Sequence, residues 1–72
     1  MRIKYDPTVD AAYISFKEAK EVTTIRITED IAIDLGINEE IVGIEILSAS
    51  KHLSLDREKP CISLENLTAK AL

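Results

Sequence analysis

The chain has one cysteine, one histidine, two glycines, two prolines and no tryptophan in 72 residues. Cys61 alone cannot close an intramolecular disulfide, which excludes a disulfide-stapled scaffold and fits a reducing, cytoplasmic setting. His52 alone excludes a histidine metal cluster. Gly36 and Gly43 are the only glycines, so no glycine-rich phosphate loop is present. No stretch approaches the ~20 apolar residues that span a bilayer. No charged start followed by an apolar run marks a secretory leader. No membrane partner is therefore expected. Nine Lys and Arg against thirteen Asp and Glu leave a net charge of −4. The basic footprint of a nucleic-acid binder is missing, and the interleaved Glu18 and Glu21 break up the basic residues Arg2, Lys4, Lys17, Lys20 and Arg26.

What is abundant is β-branched. Hydrophobic residues make up 46% of the chain, charged residues 31%, and only Tyr5, Tyr13 and Phe16 are aromatic. Eleven residues are isoleucine, and Ile, Val and Thr together supply nineteen. These side chains are stiff at χ1 and favour strands. A chain this short makes one domain and buries only about 60% of its unfolded surface. A single sheet also leaves a face that needs cover. A homodimer is therefore expected, with the chain's own C-terminal helix as the alternative cover.

The apolar residues fall at every second position. Arg2-Ile3-Lys4-Tyr5 alternates as a half-buried strand does, and Asp6-Pro7 ends it. Asp6, Thr8 and Asp10 suit a turn. Ala12, Ile14 and Phe16 form a second row, and Ile25 and Ile27 a third within a strand over Val22–Thr28. Residues 17–21 read as a charged loop. Ile31, Ile33 and Leu35 then face Val42, Ile44 and Ile46. Keeping both rows inward pairs Leu35 with Val42, Ile33 with Ile44 and Ile31 with Ile46, because a one-residue slip would turn one row outward. That register leaves Ile37-Asn38-Glu39-Glu40 as the turn, with Gly36 and Asn38 best able to take positive φ. It places Asp34 opposite Gly43 and Ala32 opposite Glu45. Gly43 inside a strand marks a close approach, for which Tyr13 is a cover. Ser48 is expected to cap a short helix over Ala49–Leu53. Leu55–Pro60 reads as irregular. Ser63 is expected to cap a last helix carrying Leu64, Leu67 and Ala71 on one side.

The charge is unevenly spread. Residues 1–28 and 48–72 each sum to +1, whereas residues 29–47 carry Glu29, Asp30, Asp34, Glu39, Glu40 and Glu45 with no Lys or Arg. This acidic hairpin is the candidate surface for a basic protein partner. Its plainer role is a solvated face that protects a sheet edge.

Sites for chemistry are thin. Asp6 and Asp10 share a turn and could hold a hard cation, but the loop lacks the ligand density of a calcium site, and capping suits them better. Asp34 and Glu45 are diagonal rather than opposed, which does not suit an acid–base pair. His52 and Cys61 lack a nucleophile elbow, so a helix-end imidazole and a small buried thiol are expected. We expect no catalytic residue, no metal and no cofactor. An enzyme, or a ligand- or metal-binding protein, using Asp6, Asp10, Asp34 and Glu45 is the alternative to a non-catalytic interaction module.

Two stretches resemble a known family. Met1-Arg2-Ile3-Lys4-Tyr5-Asp6-Pro7 with Asp10-Ala11-Ala12-Tyr13-Ile14 is similar to the opening M-x-I-x-Y-D-x-x-x-D-A-x-Y-I of a small prokaryotic domain-of-unknown-function family. Val42-Gly43-Ile44-Glu45-Ile46-Leu47-Ser48-Ala49-Ser50 resembles its V-G-I-E-I-L-x-A-S block, and Asp34 matches an Asp in the preceding strand. The central turn departs from the family, whose relatives often carry an Asp-x-Asp-Gly type turn there. The resemblance implies a small cytoplasmic β-rich domain and no catalytic residue. Some relatives look like partners of toxin-like proteins, which implies an antitoxin-like or accessory role.

The expected architecture is one α+β domain over residues 1–72. A mostly antiparallel, meander-like sheet of about five strands occupies 1–47, and one or two short helices occupy 48–72. Its inward set is Ile3, Tyr5, Ala12, Ile14, Phe16, Ile25, Ile27, Ile31, Ile33, Leu35, Val42, Ile44 and Ile46.

Overall fold

A computed structural model of the chain describes residues 1–65. Five strands form one antiparallel sheet: β1 (Arg2–Asp6), β2 (Ala11–Ser15), β3 (Thr23–Arg26), β4 (Ile31–Leu35) and β5 (Ile41–Leu47). One helix, α1 (Ala49–Leu53), follows directly. No helix among the described residues is long and apolar enough to cross a membrane.

The strand order is β1-β2-β5-β4-β3. This corrects the meander: β2 pairs with β5, not with β3. The hairpin β1–β2 and the three-stranded run β3–β4–β5 are each locally connected. The irregular segment 16–22 then carries the chain to the far edge, so that Ile14 meets Ile44 and Ala12 meets Ile46. A central β5 thus has an apolar neighbour on both sides.

The β4–β5 register holds for Ile31↔Ile46, Ala32↔Glu45, Ile33↔Ile44 and Asp34↔Gly43. It then shifts, so that Leu35 faces Ile41 rather than Val42. The turn is the cause. It is a 3₁₀ turn over Ile37–Glu39, with Asn38 at φ 66° and Glu39 at φ 60°. Gly36 stays extended at φ −93°, against the expectation of positive φ. The extra residue is Val42, which leaves the inward row and lines a cleft with Tyr13, Ser15 and Asp34 on the opposite face.

Register makes the inward face explicit. One row runs Ile3–Ile14–Ile44–Ile33–Ile25 through all five strands. The next runs Tyr5–Ala12–Ile46–Ile31. Cover comes only at one end. Ala12 and Ile46 pack with Ala49 of α1, and Tyr5, Ile14, Ile31, Ile44 and Leu55 close around them. Elsewhere on the inward face Ile33 and Leu35 are half-buried, whereas Ile3, Phe16, Ile25 and Ile27 are exposed. A five-residue helix is about 7 Å long and cannot roof a five-stranded sheet. β3 is shorter than expected. Ile27 donates its N–H to the Ile31 carbonyl at 2.8 Å, which starts the turn at Thr28.

Two further expectations change. Ser48 does not cap α1 through its side chain; it sits at φ 51° and turns the chain out of β5. Cys61 is exposed rather than buried. Residues 54–65 are irregular, as expected for Leu55–Pro60. They are pinned by the Arg57 guanidinium, which donates to the Pro7 carbonyl at 2.7 Å. The start of the expected last helix, Ser63–Glu65, is not helical. The remainder, with Leu67 and Ala71, lies outside the described residues.

Ile44 sits at the crossing of the long row and the packed cluster. Ile44→Ala is expected to cost about 2 kcal/mol or more, read as a lower urea midpoint at unchanged slope.

Candidate functional site

The outward face is built by side chains that reach across small residues. Tyr13 on β2 and Asp34 on β4 flank Gly43 of β5, which is paired with Asp34. The Tyr13 hydroxyl donates to Asp34 Oδ2 at 2.6 Å, and the Thr24 hydroxyl donates to Oδ1 at 2.6 Å. The phenol lies over Gly43: a Cβ there would overlap it and stand 3.0 Å from the Ile14 carbonyl oxygen. The glycine is needed for this space, and its φ is not positive. Tyr13 is thus the cover that Gly43 led us to expect. One row away, Arg26 on β3 spans the small, buried Ala32 to reach Glu45 at 3.2 Å. The first crossing ties β2 to β4 over β5, and the second ties β3 to β5 over β4.

These contacts set the protonation states. Hydrogen bonds from Thr24 and Tyr13 hold the Asp34 carboxyl below its ordinary value against the opposing effect of burial. The hydrogen bond to Asp34, then burial and the nearby negative charges of Asp34 and Glu45, push the Tyr13 phenol up to about 12. Such a pair is a structural latch rather than an acid–base couple. The acid is held ionised and the phenol neutral across the physiological range, so neither exchanges a proton there.

A second latch joins the β1–β2 turn to α1. Asp10, at φ 53°, accepts from the Tyr5 hydroxyl at 2.6 Å, the Ser50 N–H at 3.0 Å and the Ser50 hydroxyl at 2.7 Å. Its carbonyl accepts from the Ala49 N–H at 2.8 Å. A carboxylate forty residues upstream does what a local cap residue usually does. Hydrogen bonds from Tyr5 and Ser50 hold Asp10 below its ordinary value. Burial and the contact with Asp10 raise Tyr5. Asp6 is used separately, accepting from the Thr8 N–H at 2.9 Å. The turn role expected for Asp6 is present, whereas Asp10 serves the helix.

The acidic hairpin is largely engaged internally. Asp30 lies 2.8 Å from His52 Nε2, Glu40 is 2.6 Å from Lys17 Nζ, and Asp34 and Glu45 are held as above. The Lys17 ammonium holds Glu40 below its ordinary value. Glu29 and Glu39 are the two acidic side chains of this stretch without a side-chain partner among the described residues. Composition showed the acidic excess but could not show that Lys17, Arg26 and His52 arrive from other elements to meet it. The Tyr5–Asp10–Ser50 latch was likewise missed, because its partners are forty residues apart and carry no local pattern. Among the described residues, no three His, Cys, Asp or Glu side chains converge as metal ligands.

The inward face offers a groove of about 420 Å³. Ile3, Ile14, Leu53, Leu55, Cys61 and Ile62 are among its walls. It lies between the sheet and the 54–65 segment, and its lining is almost wholly apolar.

Residues 2–50 match the model of a family described as a protein of unknown function (DUF2283). The match takes in all five strands and the start of α1. No curated protein and no solved structure matches the chain.

Tyr13→Phe is expected to cost about 1–2 kcal/mol, since it strips Asp34 of one of its donors. The loss has a pH signature. Asp34, depressed when folded, stabilises above the ordinary carboxylate range, and this is lost as pH falls through its folded value. The difference between wild type and Tyr13→Phe in urea midpoint should therefore shrink on acidification. In alkaline spectrophotometric titration, Asp34→Asn should bring the Tyr13 phenol from about 12 back toward 10.0. Asp10→Asn should weaken the α1 cap, read as faster hydrogen exchange at the Ser50 amide with the β5 amides unchanged.

Proposed function

Since the chain belongs to the DUF2283 family of proteins of unknown function, we propose from its geometry that it is a non-catalytic protein-interaction module of the cytoplasm, an accessory or antitoxin-like partner that docks through its inward sheet face. The observation that carries this reading is the isoleucine row. Ile3 and Ile25 stay exposed at its two ends, and exposed Ile27 and Ile41 extend the apolar surface. Monomeric proteins rarely leave a contiguous apolar face of this kind uncovered, and such faces mark docking sites. The face is also free of charge, as the centres of protein interfaces are.

The acidic hairpin supports a smaller role in the same reading. With Asp30, Asp34, Glu40 and Glu45 engaged internally, Glu29 and Glu39 are left to meet a basic protein partner as rim charges, which affect encounter rate more than affinity. The ligand-binding or catalytic alternative finds less support. Asp6, Asp10, Asp34 and Glu45 each already hold a protein group.

The test is co-purification with the tagged full chain from its own cells. Wild type and a Glu29→Lys/Glu39→Lys double variant should retain the same protein at similar levels, and Ile25→Glu should retain at least tenfold less. Loss with the double variant alone would move the surface to the acidic hairpin, and retention of no protein would remove the interaction reading.

A further inference from the structure

We infer that the occupant of the inward face is a second copy of this chain, stacked face to face so that two single sheets become a two-layer sandwich. The inference rests on the inward face being a docking surface, as proposed above, and it names the partner.

The first ground is the size of the core. Among the described residues only Ala12, Ala32, Val42, Ile46 and Ala49 are buried hydrophobics, three of them alanine. No large side chain is fully buried. Ala32 and Val42 belong to the outward face, which leaves three buried residues on the inward side. The described residues extend only 17 Å along their thinnest axis, the depth of one sheet with its side chains and a partial cover. A chain of this length has little stability to spare even when well packed. Whatever completes its core must be present whenever the chain folds. A second copy meets that condition, because it is made with the first; a foreign protein that comes and goes does not.

The second ground is self-complementarity. A two-fold axis brings the same patch against itself, residue i on j and j on i, so a patch bearing charge of one sign would repel its copy whereas an uncharged apolar one fits it. The row Ile3–Ile14–Ile44–Ile33–Ile25 carries none. Its side chains repeat at the strand spacing of about 4.8 Å, so the ridges of one sheet match the furrows of another with the same spacing. The charged groups Lys4, Arg26, Asp34 and Glu45 all lie on the outward face, away from the contact.

The third ground is area. α1 and the 54–65 segment cover part of the face at the β1–β2 end, so only the open side chains count. Ile3, Ile25, Ile27, Ile41, Leu53 and Ile62 are 36–56% exposed and together offer roughly 500 Å² of apolar surface per copy. Two copies reach the ~1,000 Å² that separates a specific interface from a casual contact.

Sedimentation of the purified full chain over a range of concentrations tests the inference. The expected result is a species of twice the 8.0 kDa chain mass, with a thermal midpoint that rises with protein concentration, because unfolding then releases two chains. Ile25→Glu, a change at an exposed position on the edge strand β3, should weaken self-association at least tenfold, and Ile3→Glu on the opposite edge should do the same. Glu29→Lys should leave it unchanged. A full chain that is monomeric at every concentration overturns the inference. If that monomer still loses a co-purifying protein on Ile25→Glu, the docking reading stands and only the second copy falls. A dimer indifferent to both isoleucine changes would place the contact elsewhere and also overturn it.

Discussion

A single sheet with one isoleucine face and a helix too short to cover it is the constraint from which the rest of this structure follows. The five isoleucines that run strand to strand are held in line by register, and β5 at the centre receives apolar neighbours from both sides. α1 covers only the end where Ala12 and Ile46 meet Ala49. The 54–65 segment stands across a groove from Ile3 and Ile14, and Ile25 and Ile27 stay exposed at the β3 edge. Burial is the dominant favourable term in folding, and this layer leaves Ile3, Phe16, Ile25 and Ile27 of its apolar face exposed.

The outward face compensates with polar ties that a thin sheet needs. Tyr13 and Arg26 each cross a residue with little or no side chain, Gly43 and Ala32, to reach a carboxylate on the far side. The small residue is what lets the long one lie flat, and the long one shields the backbone that the small one would expose. Gly43 and Ala32 are both buried as a result. The Asp10 carboxylate plays the same part for α1, which has no cap of its own and is too short to persist without tertiary support. The acidity concentrated in residues 29–47 is thereby mostly absorbed into the fold.

Family membership and geometry point in compatible directions. The match covers residues 2–50, the part of the chain that makes the sheet and begins the helix. The carboxylates that would be candidates for chemistry each serve a structural hydrogen bond or ion pair. Exposed isoleucines, by contrast, serve nothing within the described residues.

Alternation alone was enough to determine that Ile3, Ile14, Ile25, Ile33 and Ile44 share a face, because the side-chain period of a strand is two whatever its neighbours are. It also determined the β4–β5 register from Ile31 to Asp34, since any slip would have exposed a row. Gly43 announced the Tyr13 crossing, because a glycine inside a strand needs something close above it. Tertiary structure decided what no local pattern encodes. The place of β5 between β2 and β4 depends on matching rows that the sequence sets far apart, Ile14 with Ile44 and Ala12 with Ile46. The capping of α1 by Asp10 rather than Ser48 depends on where the β1–β2 turn lands. The flip of Val42 to the outward face depends on the left-handed Asn38 and Glu39, which lengthen the turn by one residue. The periodicity says which side chains point the same way; only the folded chain shows how few of them find cover, because cover is a property of the layer above and not of the strand itself.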